Sequence, residues 1–179
     1  MLPPLWSRLL LQVLFICISG FFAAAELSIL SLNEADLRHQ VEEGDRKALC
    51  LEKLLRRSGR TRTTVQLCIT LAGLWGAGFA ALGLGMPLAA WAQEHWTLTG
   101  SAAGTARVLC LVLTVLVLAL VHLVFGYMIP RRVAVHRGPA VARFTCTVVS
   151  ALSAVLLPLT ALAAAGQIAI WVVEGRLLP

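Results

Sequence analysis

Residues Leu5 to Leu32 form an apolar run long enough to cross a bilayer, and the segment that follows, Asn33 to Arg62, abruptly carries fourteen charged residues. Crossing lipid takes roughly 20 apolar residues at about 1.5 Å of rise each. Near the inner end of the run lies a single carboxylate, Glu26. A buried acid in such a stretch needs a partner, water or a neutralising proton, so Glu26 is a candidate functional residue on physical grounds alone. Composition agrees with the membrane class: 59% of the chain is hydrophobic, only 13% is charged, and the mean hydropathy of +0.83 exceeds that of soluble domains.

The distribution of charge predicts the topology. Eight basic residues lie between Arg38 and Arg62, six acids share the 33–62 segment with them, and Arg131, Arg132, Arg137 and Arg143 follow the third apolar block. Arg8 and Arg107 flank the opposite ends of these blocks. Positive residues favour the inner side, so the amino terminus is expected outside, and loop 33–62 and the carboxy terminus in the cytoplasm, in a plasma (inner) membrane. The net charge of +6 then reports orientation toward the lipid bilayer and no nucleic-acid partner.

The expected organisation is an all-α membrane protein. A first transmembrane helix occupies 1–32, a cytoplasmic helical loop 33–62, a second transmembrane helix 63–92, an outer loop 93–106, and a third transmembrane helix 107–129 ending at Pro130. Trp91 and Trp96 suit the outer interface. A basic turn and a further apolar region with Pro158 in its middle fill 130–179, readable either as a juxtamembrane helical hairpin or as one kinked span. Ala23-Ala24-Ala25 before Glu26 imitates a signal-peptide cleavage site, but the apolar run continues past it through Leu32.

In the charged loop, Ala35, Leu37, Val41, Ala48, Leu49, Leu51, Leu54 and Leu55 recur at mostly helical spacing, interrupted at Gly44. The second transmembrane helix carries Gly73, Ala77, Ala81 and Gly85 at intervals of four, a stripe of small residues for close helix packing, within the chain or between two chains. The five cysteines are scattered without a metal-ligand spacing and read as packing residues. No arrangement of catalytic side chains or phosphate-binding loop is present, so no enzyme is expected.

Three stretches carry a resemblance. The run from Gly20 to Asn33, with Leu37-Arg38 and Glu42 to Ala48, resembles the opening of the transmembrane domain of the CorC and cyclin M (CNNM) family of magnesium and cobalt transport proteins. Thr64 to Gly73 is similar to the second helix of its bacterial, hemolysin-like branch. Phe125-Gly126-Tyr127-Met128-Ile129-Pro130-Arg131-Arg132 is similar to the family's Gly-Glu-x-x-Pro-Lys motif. The matches occur in the family's order and cover nearly the whole chain. The resemblance implies three transmembrane helices plus a juxtamembrane helical hairpin over Val148 to Val173, and a homodimer. Relatives continue into cytoplasmic CBS domains, and none is expected within residues 1–179.

The resemblance also implies a cation path, with magnesium as the substrate and no firmly bound cofactor. Magnesium prefers hard oxygen ligands in octahedral geometry. At the positions where relatives place a Ser, Asn side chains and a Glu, this chain has Ala23, Ile69 with Thr70, and Tyr127 after Gly126. Glu26, Ser31, Thr70 and the Gly126 carbonyl remain as candidate metal ligands, supported by Ser28 and Gln66. Two functions follow as expectations: a divalent-cation transport domain with a thinned ion site, or a non-transporting scaffold or accessory subunit that forms a heterodimer with a ligand-complete paralogue.

Overall fold

A computed structural model describes residues 5–97 and 99–161 of the chain. Every regular element among the described residues is helical. The helices are α1 (Leu5–Leu30), α2 (Glu34–Glu42), α3 (Arg46–Arg56), α4 (Ser58–Ala80), α5 (Met86–His95), α6 (Gly100–Leu123), α7 (Ile129–His136) and α8 (Gly138–Val155). A π-helical turn at Ala81–Gly85 joins α4 to α5, and a second at Val124–Met128 joins α6 to α7. Continuous helix therefore runs over Ser58–His95 and Gly100–His136.

By length and composition four helical stretches can cross a membrane: Leu5–Leu30, Ser58–His95, Gly100–His136 and Gly138–Val155. The count from sequence is three plus a hairpin. The extra candidate arises because α8 starts at Gly138, with Pro139 in its first turn, and reaches 18 residues before ending at Val155. That is about 27 Å at 1.5 Å per residue. A turn at Leu156 precedes Pro158, and the second arm of the expected hairpin falls largely on residues 162–179, outside those described.

The helix ends differ from the expected segment ends at two places. The outer loop 93–106 is shorter, because α5 runs to His95 and α6 resumes at Gly100; Gly100 and Gly104, which read as loop formers, begin the spanning helix instead. Gln93 Nε2 donates to the Ala103 carbonyl at 2.9 Å and ties the two helix ends together. The third helix does not end at Pro130. The π turn has already opened the hydrogen-bond ladder just ahead of it, so α7 accommodates a proline at its second position.

The described residues divide into two compact units, one within 1–23 and 68–132, the other within 24–67 and 133–179. In the first, α5 and the π turn ahead of it pack on α6. Its close approaches are made by glycine. A Cβ on Gly20 would stand 2.9 Å from Pro130 Cγ, one on Gly85 2.9 Å from a Leu111 methyl, and one on Gly126 3.3 Å from the Ile16 carbonyl. Leucine and valine cover the outward side of α6, with Leu109, Val112, Leu113, Leu116 and Leu120 all exposed, as contact with lipid requires.

The buried stripe of this unit is not the stripe of equal spacing in the sequence. Ala72, Gly76 and Ala80 are buried, one position earlier than Gly73, Ala77 and Ala81, and Gly73 has nothing within 4 Å of where its Cβ would be. Beyond the π turn the buried positions are Gly85, Ala89 and Ala92. The turn takes up one extra residue, so Ala80 and Gly85, five apart, share a face that uniform helix would give to positions four apart.

In the second unit α2 and α3 meet at Gly44, whose φ of +86° lies in the left-handed region. Asn33 accepts a hydrogen bond from the Ala35 N–H and Asp45 from the Lys47 N–H, so each helix has a side-chain cap. Leu37, Ala48, Leu51 and Leu54 are buried, and α3 packs against both α2 and α8. An ion pair between Asp45 and Arg143 links the start of α3 to α8.

Candidate functional site

Glu26 lies in the last turns of α1, where small and apolar residues bury the helix almost all round: Ala23, Ala25, Ser28 and Ile29 are each fully enclosed. The Glu26 side chain is 4% exposed, and its Oε1 stands 3.6 Å from Nε of Arg62, which comes from the start of α4 and is 72% exposed. A carboxylate removed from water must be compensated. Here a guanidinium reaching in from the surface does so, a partner the sequence reading does not assign.

The hydroxyls near Glu26 are engaged with backbone. Ser28 Oγ donates to the Ala25 carbonyl at 3.1 Å and Ser31 Oγ to the Ser28 carbonyl at 3.2 Å. Ser31 sits at the start of α8, where a Cβ on Gly138 would come within 3.4 Å of its oxygen. As donors to carbonyls, both oxygens keep lone pairs for a cation or its water. Glu26 and Ser31 thus belong to one unit, while Thr70 and Gly126 belong to the other.

In that other unit Thr70 lies on the exposed side of α4, whereas Gln66, four residues earlier on the same helix, belongs to the unit of Glu26. Gly126 is buried in the second π turn, held between the His122 ring and the Ile16 carbonyl. Tyr127 follows it, and its ring lies 4.3 Å from the Arg131 guanidinium carbon, a cation–π contact. The ring face of Tyr127 thus holds a cation of the chain's own. The first π turn is also capped by charge: Arg8 Nη1 donates to the Gly83 carbonyl at 2.6 Å. Among the described residues no three His, Cys, Asp or Glu side chains gather as a metal cluster.

Two residues on α1 escape the sequence reading. Gln12 is 5% exposed and Ser19 fully buried, and the Ser19 hydroxyl has no hydrogen-bond partner among the described residues. With Glu26 they stand seven residues apart in series, so all three polar groups fall on one face of α1. That spacing is visible in the sequence; what hides it is the single Ser19 among apolar neighbours, which reads as an ordinary membrane-helix serine.

A chain built of helices long and apolar enough to span lipid, with an acid enclosed in one of them, is an integral membrane protein. The family described as the cyclin M transmembrane N-terminal domain matches residues 10–175, and the chain belongs to it. It is also similar to UPF0053 protein YugS of Bacillus subtilis (strain 168), with 27% identity over 136 residues. The alignment covers 75% of this chain and 30% of that relative, so the chain matches less than a third of the relative's length.

Proposed function

We propose that this chain is the membrane domain of a divalent-cation transport protein, with a hydrated magnesium or cobalt ion as its substrate and a thinned ion site. The observation that carries the reading is the enclosed Glu26 carboxylate, neutralised by a side chain that solvent can reach. Arg62 then acts as an internal stand-in for the cation: an arriving ion takes its place beside Glu26, and Arg62 returns when the ion leaves. We propose Ser31, in the same unit as Glu26, as a neutral oxygen for the hydrated ion, and Thr70 and the Gly126 carbonyl, in the other unit, as separate candidate ligands. With a single carboxylate and few oxygens, the ion keeps most of its water. The charge distribution supports an orientation with the amino terminus outside and α2 and α3 in the cytoplasm of a plasma membrane. The open surface at Gly73 and Gly78 on α4 suits a homodimer or a heterodimer with a paralogue.

A second reading has its own observation. Arg62 already stands beside Glu26 and the Tyr127 ring faces Arg131, which favours a non-transporting scaffold or accessory subunit. Magnesium flux into liposomes separates the two. Under the transport reading the protein exceeds empty liposomes, Glu26→Gln abolishes the flux, and Arg62→Gln lowers the magnesium concentration needed for half-maximal flux. No flux from a folded preparation, beside an active ligand-complete relative, supports the accessory role, as would its co-purification with such a relative.

A further inference from the structure

Away from Glu26, the second unit contains a cavity of about 540 Å³ whose lining includes Lys53, Arg56, Arg57, Arg60, Ser150 and Ser153, with Thr61, Leu54, Ala154 and Leu157 completing its walls. Its size is that of a small-ligand site, roughly 300–1,000 Å³. Four cations share it, and among the described residues only Arg56 has a carboxylate partner, Glu52 at 3.8 Å. The Ser153 hydroxyl oxygen is buried without a hydrogen-bond partner among the described residues. The cavity also adjoins the first turn of α4, the positive end of a long helix. Cations, an unused hydroxyl and a helix N-terminus are all chemistry for an anion.

The remaining walls narrow the choice of anion. Leu54, Ala154 and Leu157 are apolar, and Val155, Leu157 and Leu159 continue outward as exposed hydrophobic surface. A free phosphate gains nothing from such a wall. A phospholipid uses both parts, its phosphodiester among the cations and its acyl chains along the apolar surface. The location agrees, because α4 begins at this cavity and continues into a stretch apolar enough to span the membrane. We infer that this cavity is a binding site for the headgroup of an anionic phospholipid, with Arg57 and Arg60 holding the phosphate and Ser153 donating a hydrogen bond to it.

The test uses the full chain in neutral detergent and measures saturable binding of dioctanoyl phosphatidylglycerol, with dioctanoyl phosphatidylcholine and inorganic phosphate as parallel probes. Phosphatidylglycerol binds, phosphatidylcholine does not, and phosphate does not reach saturation. Arg57→Gln with Arg60→Gln weakens phosphatidylglycerol roughly thirty-fold, about fivefold for each cation removed. Ser153→Leu, which fills the cavity without touching a charge, also weakens it. Lys47→Gln, an exposed cation of α3 outside the cavity, leaves binding unchanged. Equal binding of the two lipids would overturn the inference, as would a loss with Lys47→Gln equal to that of the cavity pair. Saturable binding of phosphate at the same concentrations would overturn the lipid as occupant. If the double variant fails to fold, judged by its size-exclusion profile, Ser153→Leu decides alone.

Discussion

At the scale of single residues, the closest helix contacts depend on side chains that are absent. Gly20 leaves no room for a methyl group, since a Cβ there would stand 2.9 Å from the Pro130 ring, while one at Gly126 would press at 3.3 Å on both the His122 ring and the Ile16 carbonyl. Gly20→Val should destabilise the protein by about 1–3 kcal/mol, the usual cost of overpacking. Gly73→Ala, with open space around it, should be neutral or gain up to about 1 kcal/mol of helix propensity. Reversible unfolding in mild detergent checks both, and equal effects at the two positions would refute the packing. Cys50 offers a different test. Burial, and after it the neighbouring Cys146 thiol, push the Cys50 thiol above its ordinary value. A raised value means less thiolate at neutral pH, so Cys50 should alkylate more slowly than a cysteine placed at exposed Lys47, with a rate that climbs only in alkaline buffer. Mass spectrometry after timed iodoacetamide treatment reads this, and equal rates at neutral pH would contradict it. Glu26 was legible as an anomaly in an apolar run, but Arg62 as its partner was not, because the two are far apart in sequence and only folding brings the start of α4 beside the end of α1.

At the scale of elements, the sequence declares helix length well and helix register poorly. Apolar blocks and caps such as Asn33 and Asp45 are written in residue type, so the existence of the helices could be read directly. The π turns carry no signal in hydrophobicity. Equal spacing therefore pointed to Gly73, Ala77, Ala81 and Gly85 as one stripe, whereas the buried face steps from Ala80 to Gly85 across the wide turn. Pro130 misled for the same reason, since the preceding π turn had already disposed of the hydrogen bond a proline removes. The extra residue in the first π turn yields an unusual prediction. Deleting Leu82, exposed within that turn, should convert it to ordinary helix and keep Ala80 and Gly85 on one face. Deleting Leu74, in regular helix, rotates everything beyond it by about 100° and misaligns the buried face. The Leu82 deletion should purify as a single species near the wild-type melting temperature and the Leu74 deletion should aggregate. Aggregation of both would show that the π turn does not set the register.

At the scale of the whole molecule, the proposed function depends on which side of the membrane each end of each helix faces, and charge is what decides it. Residues 33–62, which contain α2, α3 and the start of α4, hold fourteen charged residues, and α3 and α8 are joined by the Asp45–Arg143 ion pair, so this region has the polar surface expected on the aqueous side that receives the positive loops. The connection between α5 and α6 is short and bears Trp96, and Trp91 near the end of α5 stacks on His95, a composition suited to the opposite interface. Arg62, standing between Glu26 and solvent, would then exchange with ions on the cytoplasmic side. Two single cysteines make the orientation measurable. In intact cells a membrane-impermeant maleimide should label Glu94→Cys, an exposed position at the end of α5, and should leave Lys47→Cys untouched until the cells are permeabilised. The reverse pattern would turn the protein over in the membrane. It would place Arg62 and the entry to Glu26 on the outside, and a cation exchanging with Arg62 would then have to be drawn from the external medium.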